Sequence, residues 1–296
     1  MPSDEGGRGD AFRPEVRPIE AGDRVAVAAY LHRALNPRVP IGAWGALIAP
    51  PWGRCGPNSG FVLLHGGEVV GAYVAVYSER SMGGTIVPVC NLAAFCVDEG
   101  FRAHGLRLVR SLISQKGFDF TDLSPSGNVV AMNERLGFRR VEGPTRLSMN
   151  PWAVRSRGLV VTDDPAQLER VLRGDDSRVY TDHVAATAAH HLLVRRGDDY
   201  AYLVYRRDRR KRLPVFATPL YRGGSVDLLR QAWPAVGAAL LRRGHLATLA
   251  EERILGFTPP GLGRSLHSPR PRMVRGDRLP NDAIDYLYSE LALLKW

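Results

Sequence analysis

The sequence predicts a mixed α/β (α+β) protein with two tandem copies of one fold, each a mostly antiparallel central sheet flanked by helices. Three observations predict it. The chain has 296 residues, more than the roughly 250 that a single hydrophobic core supports. Apolar periodicity alternates between strand and helix spacing in the first half, and the second half loosely repeats that order. We therefore expect a mobile tail at 1–14 and domains at 15–150 and 151–296.

The first half contains the more regular set of elements. A strand near Val16 precedes a helix that Asp23 can cap. The apolar face of this helix is formed by Val25, Val27, Ala28, Leu31 and Leu35. The paired glycines of His65-Gly66-Gly67-Glu68 suit a tight hairpin turn. The other predicted elements are a helix at 41–48, strands at 61–64, 69–77 and 85–97, a helix from 106, a strand at 118–123, a helix ending at 137, and strands at 138–141 and 146–149.

The second half repeats this order with almost no residue identity. Its last predicted element is an amphipathic terminal helix, and Arg222-Gly223-Gly224 stands before its longest helix. The predicted elements are a strand at 158–161, a helix at 165–172, strands at 191–195, 200–206 and 213–221, a helix at 226–241, strands at 247–255 and 272–275, and a helix at 282–294.

The positive charge is concentrated in the second half. The net charge is +10, and residues 1–150 hold 16 Lys and Arg against 14 Asp and Glu, whereas residues 151–296 hold 24 against 16. Of the basic residues 37 are arginines, a skew that genome composition produces without selection for binding. We therefore expect no nucleic-acid partner. Hydrophobic residues make up 45% and charged residues 24%, a balance that excludes wholesale disorder.

Cysteine and histidine spacings indicate neither disulfides nor a metal. Cys55, Cys90 and Cys96 fit no disulfide framework or zinc site. His190-His191 is not at ligand spacing with a carboxylate or cysteine pair, so we expect no metal. No stretch approaches the roughly 18 apolar residues of a membrane span, and the first residues lack the apolar core of a signal peptide. We expect a cytoplasmic protein.

The stretch from Val97 to Phe138 carries the strongest functional signal. The apolar strand at 85–97 runs into Arg102-Ala103-His104-Gly105-Leu106-Arg107 and then into a helix. Amides at such a helix start bind phosphate or pyrophosphate, and arginines add charge-assisted contacts. An ordinary strand-to-helix turn has the same local pattern, so this motif alone is weak. About 25 residues later, Asn128 opens a helix that ends in Leu136-Gly137-Phe138.

Together the two motifs resemble the GCN5-related N-acetyltransferase (GNAT) superfamily. In that family the central strand ends in a hydrophobic residue, a Q/R-x-x-G-x-G/A loop holds the pyrophosphate of acyl-coenzyme A, and the next helix ends in Leu-Gly-Phe. Val97, Arg102 and Gly105 match the first pattern, whereas Asn128 and Leu136-Gly137-Phe138 match the second. The resemblance covers residues 15 to 150.

The resemblance implies transfer of an acyl group, acetyl or longer, from acyl-CoA to the amine of a small acceptor. Backbone groups of Cys96 and Val97 would bind the pantetheine arm, which would enter beside the strand at 118–123. One N–H would polarise the thioester carbonyl. By analogy, Arg222-Gly223-Gly224 occupies the loop position in a degenerate second copy. The other residues expected to bind the coenzyme are Arg102, Ala103, His104, Gly105, Leu106, Arg107 and Asn128.

Three positions depart from the family pattern. Arg107 replaces the last small residue of the loop. Asn133 stands where a tyrosine often protonates the leaving thiolate, and Asn91 stands where several members place a glutamate base. Asparagine does not titrate, so positioning, which contributes about 7 to 11 kcal/mol, would carry more of the catalysis. The titratable candidates for proton transfer are Glu79, His65, Asp122 and Glu134.

Two other functions remain open. One is an N-acyl amino acid synthase that takes its acyl group from acyl carrier protein, which the basic run Arg206-Arg207-Asp208-Arg209-Arg210-Lys211-Arg212 would dock. A solvated hairpin tip is the alternative interpretation of this run. The other function is a non-catalytic module that binds or senses coenzyme A, which Asn91 and Asn133 favour. An acyl-cysteine route is disfavoured because Cys90 and Cys96 lie on a buried strand. Acceptor specificity is expected in the loop at 50–59.

Overall fold

The computed structural model describes residues 13–53, 55–82, 84–152, 158–210, 213–266 and 270–295. Most of the predicted tail at 1–14 lies outside these residues. The chain divides into two compact units, Met1–Asp122 and Leu123–Trp296. The predicted mixed α/β class is confirmed, whereas the domain boundary at residue 150 stays a prediction. None of the described helices combines the length and the apolar character needed to cross a bilayer.

The first unit is a sheet with helices in its connections. Strands β1 to β4 are antiparallel neighbours, and β5 lies parallel to β4. In spatial order the strands are β1 (Glu15–Pro18), β2 (Gly60–His65), β3 (Glu68–Met82), β4 (Thr85–Val97) and β5 (Asp119–Asp122). Between β1 and β2 lie α1 (Arg24–Ala34) and α2 (Ile41–Ile48), and between β4 and β5 lies α3 (Gly105–Ile113).

Helix α1 forms where the periodicity predicts it, but with a narrower buried face. Leu31 is fully buried, whereas Val25 is 75% exposed and Leu35 is also exposed, contrary to the predicted apolar face. Asp23 stands at the N-cap without a capping bond from its side chain. Its carboxylate instead accepts two hydrogen bonds from Arg17, at 2.6 and 2.8 Å, and this partner lowers its pKa. The apolar spacing, and not the cap, therefore determines the helix.

The second unit contains a longer mixed sheet, in the order β13-β7-β12-β11-β10-β9-β8, and a pair formed by β6 and β14. Its strands are β6 (Arg139–Arg140), β7 (Thr145–Met149), β8 (Leu159–Thr162), β9 (His190–Arg196), β10 (Asp199–Arg210), β11 (Leu213–Gly224), β12 (Ala247–Glu251), β13 (Gly263–Leu266) and β14 (Met273–Arg275). Its helices are α4 (Asn128–Arg135), α5 (Pro165–Val171), α6 (Asp175–His183), α7 (Val226–Arg242), α8 (Glu252–Leu255) and α9 (Glu290–Leu293).

The two units share an element order, as the sequence predicts. In each, two helices join the first two strands of the repeat, three antiparallel strands follow, and a helix leads to a parallel strand. The order β8-β9-β10-β11-β12 thus repeats β1-β2-β3-β4-β5. One irregularity also matches, because β4 carries an extra residue at Ala93 and β11 carries one at Leu220, each four residues before its strand ends.

Several predictions for the second half are wrong in detail. Helix α6 and strand β13 have no predicted counterpart, and the strand predicted at 247–255 is a strand followed by α8. The predicted helix at 282–294 is reduced to α9, because Tyr288 has a φ of 54°. A left-handed residue cannot continue a right-handed helix. The core of this unit packs one face of α7, including Leu229, Trp233 and Val236, against the sheet.

Candidate functional site

Strand β4 pairs with β5 over only part of its length. The parallel ladder covers residues 89–91 of β4, which face residues 119–121. Beyond it β4 continues to Val97, whereas β5 ends at Asp122. From Leu92 onward the two parallel strands therefore no longer form a ladder. This is the opening where the sequence analysis expects the pantetheine arm to enter.

A β-bulge lies at the start of this opening. Val74 faces Ala94 and Ala75 faces Leu92, so Ala93 is an extra residue in β4. A bulge removes one residue from the ladder and changes the direction of nearby backbone groups. An N–H group aimed in this way can stabilise the oxyanion of a thioester under attack. The bulge has no signal in the sequence, since neither glycine nor proline lies at this place.

The predicted phosphate loop is a 3₁₀ helix, Glu99–His104, that leads into α3. The N–H of Gly105 donates to the carbonyl of Arg102. Binding of phosphate through that amide therefore requires the turn to open. Gly105 is buried, and a Cβ atom there would lie 3.2 Å from Cζ of Phe95 and 3.6 Å from Cγ2 of Val97. The glycine allows α3 to begin directly against β4.

The charged side chains of the loop differ in their contacts. The side chain of Arg102 is 73% exposed and lies 3.5 Å from Glu99, an exposed ion pair that contributes little to stability. The guanidinium of Arg107 donates to the carbonyl of Pro14 at 3.0 Å and to Nδ1 of His104 at 3.2 Å. Arg107 is therefore held by neighbouring groups, while Arg102 can turn toward an anion. Two other predicted contacts, Ala103 and Leu106, are exposed.

Asn91 holds β4 and β5 together where their ladder ends. It is 3% exposed, and its Oδ1 atom accepts a hydrogen bond of 3.0 Å from the hydroxyl of Thr121. A buried bond of this kind stabilises by about 1 kcal/mol, and breaking it leaves a buried polar group without that partner. Asn91 is thus a structural link beside the opening.

The titratable candidates differ in their surroundings. Glu79 is exposed and faces Pro88 on β4. Pro88 is three residues from Asn91, so Glu79 lies about 10 Å from Asn91 along the strand direction. His65 packs its ring against that of Phe101, with centroids 4.9 Å apart. Glu134, in the second unit, forms an ion pair of 2.8 Å with Arg140. Asp122 is 5% exposed at the end of β5.

The second motif lies in the second unit and forms a helix end of defined geometry. Asn128 is the exposed first residue of α4, and Asn133 is fully buried. The carbonyl of Asn133 accepts from the N–H of Phe138 at 3.0 Å, while Gly137 has a φ of 84°. This is a Schellman motif, in which glycine takes the left-handed position and a buried apolar residue follows. The Leu-Gly-Phe signature therefore has a structural reason.

Two cysteines of β4 are poor nucleophiles. Burial raises the pKa of Cys90, and burial is also the main cause that raises the pKa of Cys96. Because the thiolate is the reactive form, both side chains remain thiols at neutral pH. Tyr30 of α1, which donates to the carbonyl of Val70 at 3.1 Å, lies beside Cys96 and is also kept protonated by burial. A covalent acyl-cysteine step finds no support here.

The loop at 50–59 is anchored by three side chains that the sequence analysis missed. The hydroxyl of Tyr77 donates to Oδ1 of Asn58 at 2.9 Å, and Nδ2 of Asn58 donates to Gln115 at 3.0 Å. Gln115 closes the triangle by donating to the Tyr77 hydroxyl at 2.8 Å. Gly56 lies so close that a Cβ atom would meet the ring of Tyr77 at 2.2 Å. The described part of the loop is therefore fixed against β3 and the end of α3.

The corresponding region of the second unit lacks a phosphate loop, which corrects the placement of Arg222-Gly223-Gly224. These residues are the last of β11, and only Ser225 separates them from α7. Gly224 makes the turn with a φ of 63°. The side chain of Asp176 lies against Gly223, where a Cβ atom would overlap its carboxylate. A negative charge at this point would repel a phosphate.

The C-terminal segment lies along β11 in the second unit. The N–H of Tyr286 donates to the carbonyl of Leu220, the bulge residue, at 3.0 Å. The guanidinium of Arg206 donates to the carbonyls of Leu291 and Leu294, at 3.0 and 3.3 Å. Tyr286 is 1% exposed, so the segment is buried at this place. The chain itself thus occupies the position that corresponds to the opening of β4.

The basic run at 206–212 is only partly a solvated surface. Arg206 and Asp208 are buried, with 3% and 6% exposure, whereas Arg207 and Arg209 are exposed. This alternation follows the strand period of two residues. Lys211, Arg212 and the side chain of Arg210 lie outside the described residues. The alternative interpretation of the run as a solvated hairpin tip therefore does not hold for Arg206 and Asp208, which are buried.

Comparison with known proteins identifies the fold. No protein-family model matches the sequence, and no curated protein matches it. Solved structures do match. A GCN5-related N-acetyltransferase from Anabaena variabilis is 12% identical with a TM-score of 0.58, over 89% of this chain and 72% of that one. Another from Kribbella flavida is 16% identical with a TM-score of 0.56, over 90% and 71%.

A third match extends over nearly the whole chain. A putative acetyltransferase from Pyrococcus horikoshii is 12% identical with a TM-score of 0.51, and the match covers 99% of this chain and 96% of that one. Identities this low establish architecture and leave chemistry to the site. The chain therefore has the fold of the GCN5-related N-acetyltransferases.

Proposed function

We propose that the protein is an N-acyltransferase that moves an acyl group from acyl-CoA to the amine of a small acceptor. The observation that carries the proposal is the opening of β4, where a bulge at Ala93 is followed by a strand edge that ends in the loop before α3. The edge suits the extended pantetheine arm. The loop, which includes Arg102, suits the pyrophosphate.

In this mechanism the amine nitrogen attacks the thioester carbonyl carbon, and the carbon–sulfur bond breaks. The amine loses one proton and the thiolate of coenzyme A gains one. Asn91 and Asn133 cannot transfer these protons, so ordered water carries them. The residues of the chain contribute mainly by orienting the two reactants, an effect of about 7 to 11 kcal/mol in favourable cases. Direct attack agrees with the raised pKa values of Cys90 and Cys96.

The first test measures binding of acetyl-CoA and longer acyl-CoA by calorimetry. We expect saturable binding, weakened about fivefold to tenfold by Arg102→Gln because one charge-assisted contact is lost. Arg110→Gln is the matched control, since Arg110 is exposed on α3 outside the loop. Absence of saturable binding for every acyl-CoA would contradict the proposal, as would equal effects of the two substitutions.

The second test measures turnover. Release of free coenzyme A and the mass of the acylated product are followed across a panel of amines. Binding without any product would favour the non-catalytic module. Product formed from acyl carrier protein but not from acyl-CoA, and lost on charge reversal at Arg209 and Arg210, would favour the carrier-dependent synthase.

A further inference from the structure

The second unit holds a cavity of about 400 Å³ that the proposed transfer does not use. It lies where β10 and α7 end. Buried side chains form its floor, among them Leu168, Tyr205 and His245, with 1%, 3% and 2% exposure. Charged side chains, Arg207 and Arg243 among them, lie around it. Cavities of roughly 300 to 1,000 Å³ with an apolar floor and a few polar groups are typical of small-molecule sites.

Comparison of the two units explains why the cavity exists. The pairing of β3 with β4 shifts in register after Val74, and the pairing of β10 with β11 shifts after Val204. Tyr77 and Arg207 each lie three residues after the shift, so they occupy corresponding positions in the two units. In the first unit the connection at 49–59 places Gly56 against the ring of Tyr77. The corresponding connection of the second unit, at 184–189, is shorter. The space beside Arg207 is consequently left as a cavity.

One polar atom in the lining lacks a partner. Nδ1 of His245 is buried and forms no hydrogen bond with the described residues. Burial, followed by the charge of Arg207, lowers the pKa of His245 to about 4, so the ring is neutral at pH 7. Buried polar atoms in proteins are nearly always hydrogen-bonded. A neutral imidazole has one N–H, and because the ring also bonds the backbone of Phe216, Nδ1 is the nitrogen left to accept. A ligand hydroxyl that donates to it would meet that requirement.

The cavity carries a positive field. Arg243 is paired with Asp163 at 2.7 Å. Arg207 donates to the carbonyls of Arg243 and Pro214, at 3.0 and 3.4 Å, and forms no ion pair among the described residues. After burial, nearby cations including Arg207 also lower the pKa of His190. The lining therefore favours an anion.

We propose that this cavity binds a small aromatic carboxylate. The ring of the ligand would pack against the aromatic side chains that line the cavity, Tyr180, Tyr205 and His190. Its carboxylate would accept from Arg207, and a hydroxyl on its ring would donate to Nδ1 of His245. A single carboxylate matches a lining in which two guanidinium groups oppose one carboxylate, that of Asp163.

The test is calorimetric titration of the full chain with benzoate, phenylacetate and 4-hydroxybenzoate, each compared with its neutral amide. We expect at least one carboxylate to bind saturably and its amide to bind at least about tenfold more weakly. Arg207→Gln is expected to weaken carboxylate binding about tenfold. His245→Phe keeps a ring in place and is expected to weaken binding of 4-hydroxybenzoate about fivefold through loss of one hydrogen bond.

Arg209→Gln is the matched control, because Arg209 is exposed on the same strand and does not line the cavity. Thermal unfolding establishes that each variant is folded. No saturable binding of any of the three carboxylates would overturn the proposal, and so would equal affinity for acids and amides or an equal effect of Arg209→Gln. Acetyl-CoA binding, measured in parallel, is expected to be unchanged in these variants, so failure of this site is distinguishable from failure of the proposed transfer.

Discussion

Gly105 has no Cβ atom, and this allows helix α3 to lie close to strand β4. The nearest atoms to a Cβ there belong to Phe95 and Val97, at 3.2 and 3.6 Å. At these distances the space between α3 and β4 holds at most one more carbon atom at this position. The loop sequence therefore requires a small residue for packing, apart from any requirement for phosphate binding.

Gly105→Val is expected to destabilise the protein by about 1 to 3 kcal/mol, because the added carbons overpack the helix against the strand. It should also weaken acetyl-CoA binding by displacing the start of α3. Urea unfolding and calorimetry measure the two effects. Gly100→Ala is the control, since no atom lies within 4 Å of a Cβ at that position. If both variants behave alike, close packing at Gly105 is not the cause.

Helix α7 begins one residue after β11, so Ser225 has both to turn the chain and to cap the helix. Its hydroxyl oxygen accepts from the N–H of Leu228 at 3.2 Å. The helix then places Trp233 and Val236 in the core of the second unit. Loss of the cap is therefore expected to lower the stability of that core.

Ser225→Ala is expected to reduce the free energy of unfolding by about 1 kcal/mol, because the first turn loses its side-chain acceptor. Ser225→Asp keeps an acceptor and adds a favourable charge at the helix N-terminus, so it should retain most of the stability. Chemical denaturation of the natural chain and the two variants measures the three free energies of unfolding. If Ser225→Ala and Ser225→Asp lose equal stability, Ser225 contributes through the turn and not through the helix cap.

Elements with strong local signals were predictable from sequence, whereas those set by distant contacts were not. The glycines of the β2–β3 hairpin and Gly137 at the end of α4 have positive φ values, as their positions indicate. By contrast, the predicted terminal helix is interrupted at Tyr288, whose hydroxyl donates to Asp182 at 2.6 Å. No local pattern contains a partner that is 106 residues away.

Some features of the candidate site were likewise predictable from the sequence, and others were not. The strand, the loop and the helix that follow one another from β4 to α3 are contiguous in the chain, and the sequence predicted them. The bond between Asn91 and Thr121 and the triangle around Tyr77 join residues from different elements. Polar side chains acquire such partners only when the fold brings them together, so composition and spacing do not reveal them.

At the scale of the whole molecule, buried histidines make stability depend on pH. Burial lowers the pKa of His191 to about 4, and its Nδ1 atom lies 2.6 Å from the hydroxyl of Tyr202. The unfolded chain takes up this proton near the ordinary value of about 6.5. Between these two values the unfolded state binds more protons, so stability is full above about pH 6.5 and falls as the pH decreases toward 4.

His191→Gln is expected to be less sensitive to acid than the natural chain. At about pH 5 the neutral imidazole of His191 costs on the order of 2 kcal/mol of stability, a cost that glutamine does not incur. Urea unfolding at about pH 7.5 and about pH 5 measures the difference for each protein. Equal losses in the two proteins would show that His191 does not contribute to the acid response.

The burial of the C-terminal segment along β11 has a consequence for stoichiometry. Tyr286 bonds to the bulge residue Leu220, and Ser225 alone separates β11 from α7. In the described part of the second unit, the place of a second donor is thus taken by the protein's own backbone. Although the element order occurs twice, a titration with acetyl-CoA should reach saturation at one equivalent per polypeptide.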